Sequence, residues 1–77
     1  MKEQFLDARG LICPLPVLRA RKALSLLNAG DILRVQVTDK AAPGDFRLFC
    51  AETGHILKSV EDDGDSVEVV VECRKVG

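Results

Sequence analysis

Residues 14–38, PLPVLRARKALSLLNAGDILRVQVT, decide the fold, because a helical pattern of apolar residues gives way there to a strand pattern. Apolar side chains in the first half recur at helical spacing, at Val17, Ala20, Leu24 and Leu27. Polar side chains occupy the opposite face, at Arg19, Lys22 and Ser25. The pattern predicts a helix over Pro14–Ala29, which Asn28 and Gly30 end. Alternating apolar residues then predict a strand over Asp31–Thr38.

Further elements surround this helix–strand unit: a strand at Glu3–Ala8, a helix at Asp45–Thr53, and strands at His55–Glu61 and Ser66–Lys75. We expect Asp45 to be the N-cap of the second helix and Gly54 to end that helix. The segment Asp62–Asp65, DDGD, predicts a hairpin turn. The order β-α-β-α-β-β predicts an α/β (α+β) two-layer sandwich, with a mixed four-stranded sheet and both helices on one face.

Composition limits what the chain can do. A length of 77 residues, of which 47% are apolar, predicts a single domain over residues 1–77 with one modest core. The 11 basic and 12 acidic side chains nearly cancel, and the three Phe come without Tyr or Trp, so we expect no direct contact with nucleic acid. We see no leader and no apolar run of about 20 residues, which predicts a cytoplasmic protein without membrane contact and with reduced thiols.

The cysteines argue against a cofactor. Cys13, Cys50 and Cys73 form no Cys-x-x-Cys pair, which disfavours a zinc ribbon or a thioredoxin-type site. No His/Cys/Asp cluster has metal-ligand spacing, so we expect neither a metal nor another cofactor. Cys50 follows the apolar face of the second helix and is predicted to be a core residue. Cys73 is predicted to be a plain strand residue, and His55 a surface residue at the start of a strand.

Cys13 has an unusual backbone setting at the predicted start of the first helix. Pro14 biases Cys13 toward the extended conformation of an N-cap residue, and proline is favoured in a first helical turn. Pro16 lies in the same turn, and the regular helix could begin nearer to it. The two prolines stiffen the turn and would hold the thiol outward.

The same setting predicts an activated thiol. Helix N-termini and nearby cations lower the pKa of a cysteine, and the free N–H groups of Leu15 and Val17 could turn toward the sulfur. Three cations are candidates for this effect: Arg9, Arg19 and Arg21. Because free cysteine is also among the most buried residue types, these features alone leave a reactive thiol and a packing residue equally acceptable for Cys13.

The spaced residues Asp7-x-Arg9-Gly10-x-x-Cys13-Pro14-x-Pro16, followed by a basic amphipathic helix, resemble the signature of the TusA (SirA-like) sulfur-carrier family. The resemblance extends to Gly30, Asp39 and Asp45-Phe46, and so covers nearly the whole chain. It implies a two-layer sandwich and a persulfide held on Cys13. Family donors are typically a cysteine desulfurase or a rhodanese-type protein. Family acceptors include the relay toward 2-thiolation of tRNA wobble uridine and the DsrE-like or heterodisulfide-reductase-like proteins of sulfur oxidation.

The resemblance also assigns supporting residues by position: Asp7, Arg9, Gly10, Pro14 and Pro16. The prolines would shape the exposed turn, and Gly10 would let the backbone approach it. Arg9 would either steady the thiolate or pair with Asp7 on the surface, and both interpretations stay open.

A basic face on the first helix predicts how partners dock. We expect Arg19, Arg21 and Lys22 to steer the chain toward acidic surfaces around a partner's reactive cysteine. Since we find no general base, oxyanion loop or deep pocket, we expect a stoichiometric transfer partner, related to sulfurtransferases, rather than an autonomous enzyme. A small site that several proteins must reach favours a monomer. Two alternatives remain: a thiol redox-sensing module that uses Cys13, and a regulatory or RNA-associated domain.

Overall fold

The computed structural model describes residues 2–74 and contains four strands and two helices in the predicted order. The elements are β1 (Glu3–Ala8), α1 (Leu15–Ser25), β2 (Ile32–Val37), α2 (Ala42–Thr53), β3 (Ile56–Asp62) and β4 (Val67–Glu72). The strand order is β1-β2-β4-β3, with β1 parallel to β2 and the other neighbours antiparallel. The mixed sheet with both helices packed on one face confirms the predicted two-layer sandwich.

The core lies between the helices and one face of the sheet. The alternation predicted for the second strand is confirmed, because Leu33, Val35 and Val37 of β2 are fully buried and pair with valines of β4. The apolar stripe of α1 and the phenylalanine face of α2 cover these valines and leucines, with Leu24 and Phe46 almost fully buried. Burial of this apolar surface is the main stabilising contribution to so small a domain.

The first helix ends at Ser25 and not at Ala29. The N–H groups of Leu26 and Leu27 donate to carbonyls three residues back, at 3.1 Å in each case, which tightens the last turn and stops the helix. Gly30 has a left-handed φ of 93°, as predicted, but it lies in the loop before β2 and does not cap α1.

The second helix begins at Ala42, so the prediction of Asp45 as its N-cap is wrong. Asp39 supplies the local hydrogen bonds instead: its Oδ1 accepts the Ala41 N–H at 3.0 Å, and its carbonyl accepts the Ala42 N–H at 3.1 Å. Pro43 fits into the first turn because a helix does not use the N–H groups there. Asp45 therefore lies inside the helix, where its side chain is available for a tertiary contact.

The remaining boundaries follow the sequence more closely. Gly54 ends α2 with a φ of 87° and donates its N–H to the Cys50 carbonyl at 2.9 Å, as predicted. The hairpin turn is built by the Asp63 carboxylate, which accepts the N–H groups of Asp65 and Ser66 at 3.0 and 2.8 Å. β4 ends at Glu72, and Lys75, the predicted end of that strand, lies outside the described residues. Within residues 2–74, no helix combines the length and apolar character needed to cross a membrane.

Candidate functional site

Cys13 lies in the short loop between β1 and α1, where its side chain is partly exposed. Pro14 occupies the N-cap position of α1, after a cis Cys13–Pro14 peptide bond, and Pro16 is buried in the first turn. The N–H of Leu15 donates to the Ile12 carbonyl at 2.9 Å, so it does not point at the sulfur as the sequence suggested. The proline turn therefore presents Cys13 at the start of the helix without offering it this backbone donor.

Two carboxylates from distant positions in the chain hold Cys13. Its backbone N–H donates to Asp39 Oδ2 at 2.6 Å, and its thiol donates to Asp45 Oδ2. The pKa of the thiol is raised above its usual value, and the hydrogen bond to Asp45 is the largest cause. Partial burial and the negative charges of Asp45 and Asp39 raise it further. The pKa of Asp39 is lowered, because its carboxylate accepts the N–H groups of Cys13 and Ala41. The resting site is thus a protonated thiol fixed at two points.

The prediction that cations lower the pKa of Cys13 is wrong in this structure. Arg9 is engaged by Asp7, and Arg19 lines a different groove. Arg21 lies near Cys13 but places its guanidinium over the ring of Phe49, with Cζ 5.8 Å from the ring centroid. Carboxylates, and not cations, therefore dominate the field at the sulfur.

Asp7 and Arg9 form a two-point ion pair at the end of β1. Arg9 Nε and Nη2 donate to Asp7 Oδ1 and Oδ2 at 2.9 and 3.0 Å, and the Arg9 N–H donates to Oδ1 at 3.1 Å. These bonds lower the pKa of Asp7 to about 2. Of the two interpretations of Arg9, the structure shows the surface pair with Asp7.

Gly10 follows this pair and turns the chain toward Cys13. Its φ is 80°, a left-handed value that side chains disfavour, and its N–H donates to Thr38 Oγ1 at 2.8 Å. A Cβ at this position would meet no atom within 4 Å. The turn therefore uses glycine for its backbone conformation and not for a close approach.

An open groove of about 360 Å³ between α1 and α2 ends at Cys13. We call it the Cys13 groove. Its walls are mainly apolar and are formed by Val17, Leu18, Leu48 and Phe49. Its charged lining residues are Arg21, Asp45 and Glu52. The groove gives a partner molecule a concave, apolar approach to the sulfur.

The three residues predicted to dock partners do not form one surface. Arg21 lines the Cys13 groove, whereas Arg19 and Lys22 line a second groove between α1 and β1. This α1–β1 groove also contains Lys2 and the exposed Leu26, so it is the more cationic of the two. The surface next to the sulfur is accordingly less basic than the helix sequence suggests.

The other candidate residues lie apart from Cys13. Cys50 is buried in the core, as predicted, and burial raises the pKa of its thiol. Cys73 directly follows β4 and is fully buried, with Sγ 3.7 Å from the Leu24 carbonyl oxygen. His55 accepts the Arg74 N–H at Nδ1, 2.9 Å away. Within residues 2–74, no group of three or more His, Cys, Asp and Glu side chains is arranged to hold a metal ion.

Asp39 and Asp45 are the residues that sequence reasoning missed as parts of the site. Both carried a signal, since they matched the family pattern by position. Local rules, however, gave Asp45 a capping role and gave Asp39 no role. Only the packing of α2 beside α1 brings the Asp45 carboxylate to a thiol 32 residues earlier in the chain.

Known proteins resemble the chain over nearly its whole length. The family model described as "Sulfurtransferase TusA" matches residues 4–73. A Neisseria meningitidis protein, provisionally named a sulfur carrier, is 47% identical over 72 residues, covering 94% of this chain and 97% of its own. Sulfur carrier protein TusA of Allochromatium vinosum is 39% identical over 69 residues, covering 90% of this chain and 91% of its own.

A solved structure gives independent support for the architecture. The crystal structure of a SirA-like protein from Desulfitobacterium hafniense superposes with a TM-score of 0.78 at 30% identity, covering 92% of this chain and 97% of that one. Its fold and the named relatives point to the same family, and the relatives' names support a sulfur-carrier role. The chain belongs to the TusA family of sulfurtransferases.

Proposed function

We propose that the chain carries sulfane sulfur as a persulfide on Cys13, and that it works in the cytoplasm. The observation that carries the proposal is the position of Cys13: it is the cysteine that is not buried, and it lines an open groove of about 360 Å³ with apolar walls. Pro14 and Pro16 shape the turn that presents it, and the Asp7–Arg9 pair fixes the preceding end of β1.

Loading moves one sulfur atom from a donor persulfide to the Cys13 thiol. The Cys13 sulfur attacks the terminal sulfur of a donor persulfide, and the sulfur–sulfur bond of the donor breaks. The donor cysteine leaves as a thiolate and takes up the proton that Cys13 loses, so there is no net oxidation. Unloading repeats the same exchange, with Cys13 as the leaving thiol and an acceptor cysteine as the nucleophile.

The donor we propose is a cysteine desulfurase or a rhodanese-type protein. The acceptor is a DsrE-like or heterodisulfide-reductase-like protein, or a member of the relay toward tRNA 2-thiouridine. Each of these proteins supplies its own reactive groups, so the chain acts as a stoichiometric carrier. A thiol redox sensor would need a resolving cysteine near Cys13, and the burial of Cys50 and Cys73 gives that alternative no support.

The test is intact-mass analysis of the reduced protein after incubation with a cysteine desulfurase and L-cysteine. We expect a gain of one sulfur atom, mapped to Cys13 by peptide analysis and removed by a reducing thiol. Cys13→Ser should gain nothing, while the matched control Cys50→Ala should load like the unmodified chain, once circular dichroism shows that it is folded. A chain that gains no sulfur from the desulfurase, or from thiosulfate and a rhodanese, contradicts the proposal.

A further inference from the structure

The Cys13 groove combines apolar walls with unpaired negative charge. Leu18 and Leu48, one from each helix, line the groove and leave 50% and 61% of their surface exposed. Exposed apolar surface of this kind is typical of a docking site. The walls therefore favour a partner segment with apolar side chains.

The charges of the groove favour a cationic partner. Asp45 and Glu52 both line it, and within residues 2–74 neither forms an ion pair with a basic side chain. Asp39, which accepts the backbone N–H of Cys13, adds a third negative charge nearby. The basic residue of the lining, Arg21, is directed over Phe49.

We propose that the Cys13 groove binds a partner segment that carries a cationic side chain beside its reactive cysteine, and that this cation pairs with Asp45. Only the identity of the partner as a sulfur donor or acceptor rests on the proposed function. A guanidinium or ammonium group at Asp45 would compete with the thiol for the carboxylate and offset its charge. The Cys13 thiol would then lose the contact that keeps it protonated at the moment the partner sulfur arrives.

Small disulfides of different charge test the proposal without any sulfur donor. The reduced protein is reacted with cystamine, which is cationic, with 2-hydroxyethyl disulfide, which is neutral, and with dithiodiglycolate, which is anionic. Mass spectrometry measures the rate of modification at Cys13. Each rate is divided by the rate of the same reagent with N-acetylcysteinamide, which removes intrinsic differences in reactivity. The ratio of the normalised cystamine and dithiodiglycolate rates is the charge preference.

We expect a charge preference of about 25-fold at low ionic strength, because one carboxylate about 4 Å away speeds a cationic reagent about fivefold and slows an anionic one about fivefold in water. It should fall toward one in about 1 M salt, where the screening length is about 3 Å. Asp45→Asn should lower the preference at least about threefold and should raise the rate with the neutral reagent, because the thiol loses its carboxylate acceptor. Glu52→Gln should lower the charge preference to a smaller extent. Because Glu52 is exposed, this variant still tests the proposal if Asp45→Asn does not fold.

Matched controls separate the groove from the overall charge of the chain. Glu61→Gln removes the same charge from an exposed site on β3, and Arg19→Gln with Lys22→Gln alters the α1–β1 groove. Both should leave the preference unchanged. A preference within about twofold of one in the unmodified chain, or one that a folded Asp45→Asn or Glu52→Gln variant retains in full, overturns the proposal. Since no sulfane sulfur is present, this result is independent of whether Cys13 carries a persulfide.

Discussion

Replacing Leu24 or Leu48 by alanine contrasts a core leucine with a leucine on the wall of the Cys13 groove. Leu24 is 1% exposed, so its truncation removes buried methyl groups and leaves a cavity, at a cost of about 3 kcal/mol. A chain of 77 residues has a total free energy of unfolding of about 4–12 kcal/mol at the usual stability per residue. Leu24→Ala should therefore remove a large part of the stability and lower the Tm by about 12–24 °C.

Leu48 is 61% exposed, so most of its surface gains nothing from folding. Full burial of a leucine side chain contributes about 1.5–3 kcal/mol. Less than half of the Leu48 surface is buried, so Leu48→Ala removes less than half of this contribution and leaves no enclosed cavity. The expected loss is below about 1 kcal/mol. The rate of sulfur uptake from a desulfurase should nevertheless fall, because the truncated side chain belongs to the surface on which the partner docks.

Urea unfolding followed by circular dichroism measures the first effect, and the rate of mass gain at Cys13 measures the second. Leu26→Ala is the matched control, since Leu26 directly follows α1 and is 78% exposed, but lines the other groove. It should change neither quantity appreciably. If Leu48→Ala destabilises the chain as much as Leu24→Ala, the groove wall is packed in solution and the reasoning fails. Equal slowing of sulfur uptake by Leu26→Ala would show that exposed leucines matter irrespective of the groove.

Three further predictions concern the carboxylates Asp7, Asp45 and Asp39. Arg9→Gln should return the pKa of Asp7 from about 2 toward its ordinary value near 4, as followed by NMR titration. In the unmodified chain the lowered pKa stabilises the fold above pH ~4, and this stabilisation is lost as the pH falls toward 2. An unchanged Asp7 titration in Arg9→Gln would mean that the ion pair does not cause the lowered pKa. The pH profile of Cys13 alkylation by iodoacetamide should have its midpoint above that of a free cysteine, and Asp45→Asn should lower this midpoint. Because the pKa of Cys13 is raised in the folded chain, its contribution to stability is present below the ordinary thiol pKa and is lost as the pH rises through the folded pKa. A midpoint below that of free cysteine contradicts the hydrogen bond from the thiol to Asp45. Asp39→Ala should accelerate hydrogen exchange of the Cys13 amide, measured by NMR, whereas continued protection would show that another acceptor holds this N–H.

The sheet and the helices could be predicted because their residues obey local periodicities. Leu33, Val35 and Val37 alternate with polar residues, and this pattern alone tells which face of β2 is buried. The start of α2 was harder to predict from the sequence. Pro43 is typical of a loop as well as of a first helical turn, and the choice depends on Asp39, whose carbonyl and carboxylate accept the N–H groups that open the helix.

The site was only partly predictable, because its chemistry depends on contacts between distant residues. The prolines around Cys13 indicate a helix start and an exposed turn, and the structure has both. The neighbours of the sulfur cannot be read from its flanking residues, since Asp45 is 32 positions away and Asp39 is 26. The basic residues near Cys13 in sequence were the visible candidates, yet Arg9 and Arg19 are directed elsewhere.

Two opposing effects act on the thiol, and their sizes decide its resting state. The start of α1 offers about half a positive charge, spread over the N–H groups of the first turn. The N–H of Leu15 is already taken by a carbonyl, which weakens that effect at the sulfur. Asp45 offers a full negative charge in hydrogen-bond contact with Sγ, and Asp39 adds a second through the backbone. Because Coulomb energy scales with charge and falls with distance, the carboxylates prevail and the pKa of Cys13 rises.

This balance has a consequence for a sulfur carrier that meets several partners. A thiolate left exposed between partners would be open to oxidation and to attack on unintended disulfides, whereas a protonated thiol reacts slowly. Neutralising Asp45 removes the largest of the effects that raise the pKa of Cys13. On our proposal, the partner brings that neutralising cation together with its own cysteine. The reactivity of Cys13 is then a property of the complex, and it arises only where sulfur can be transferred.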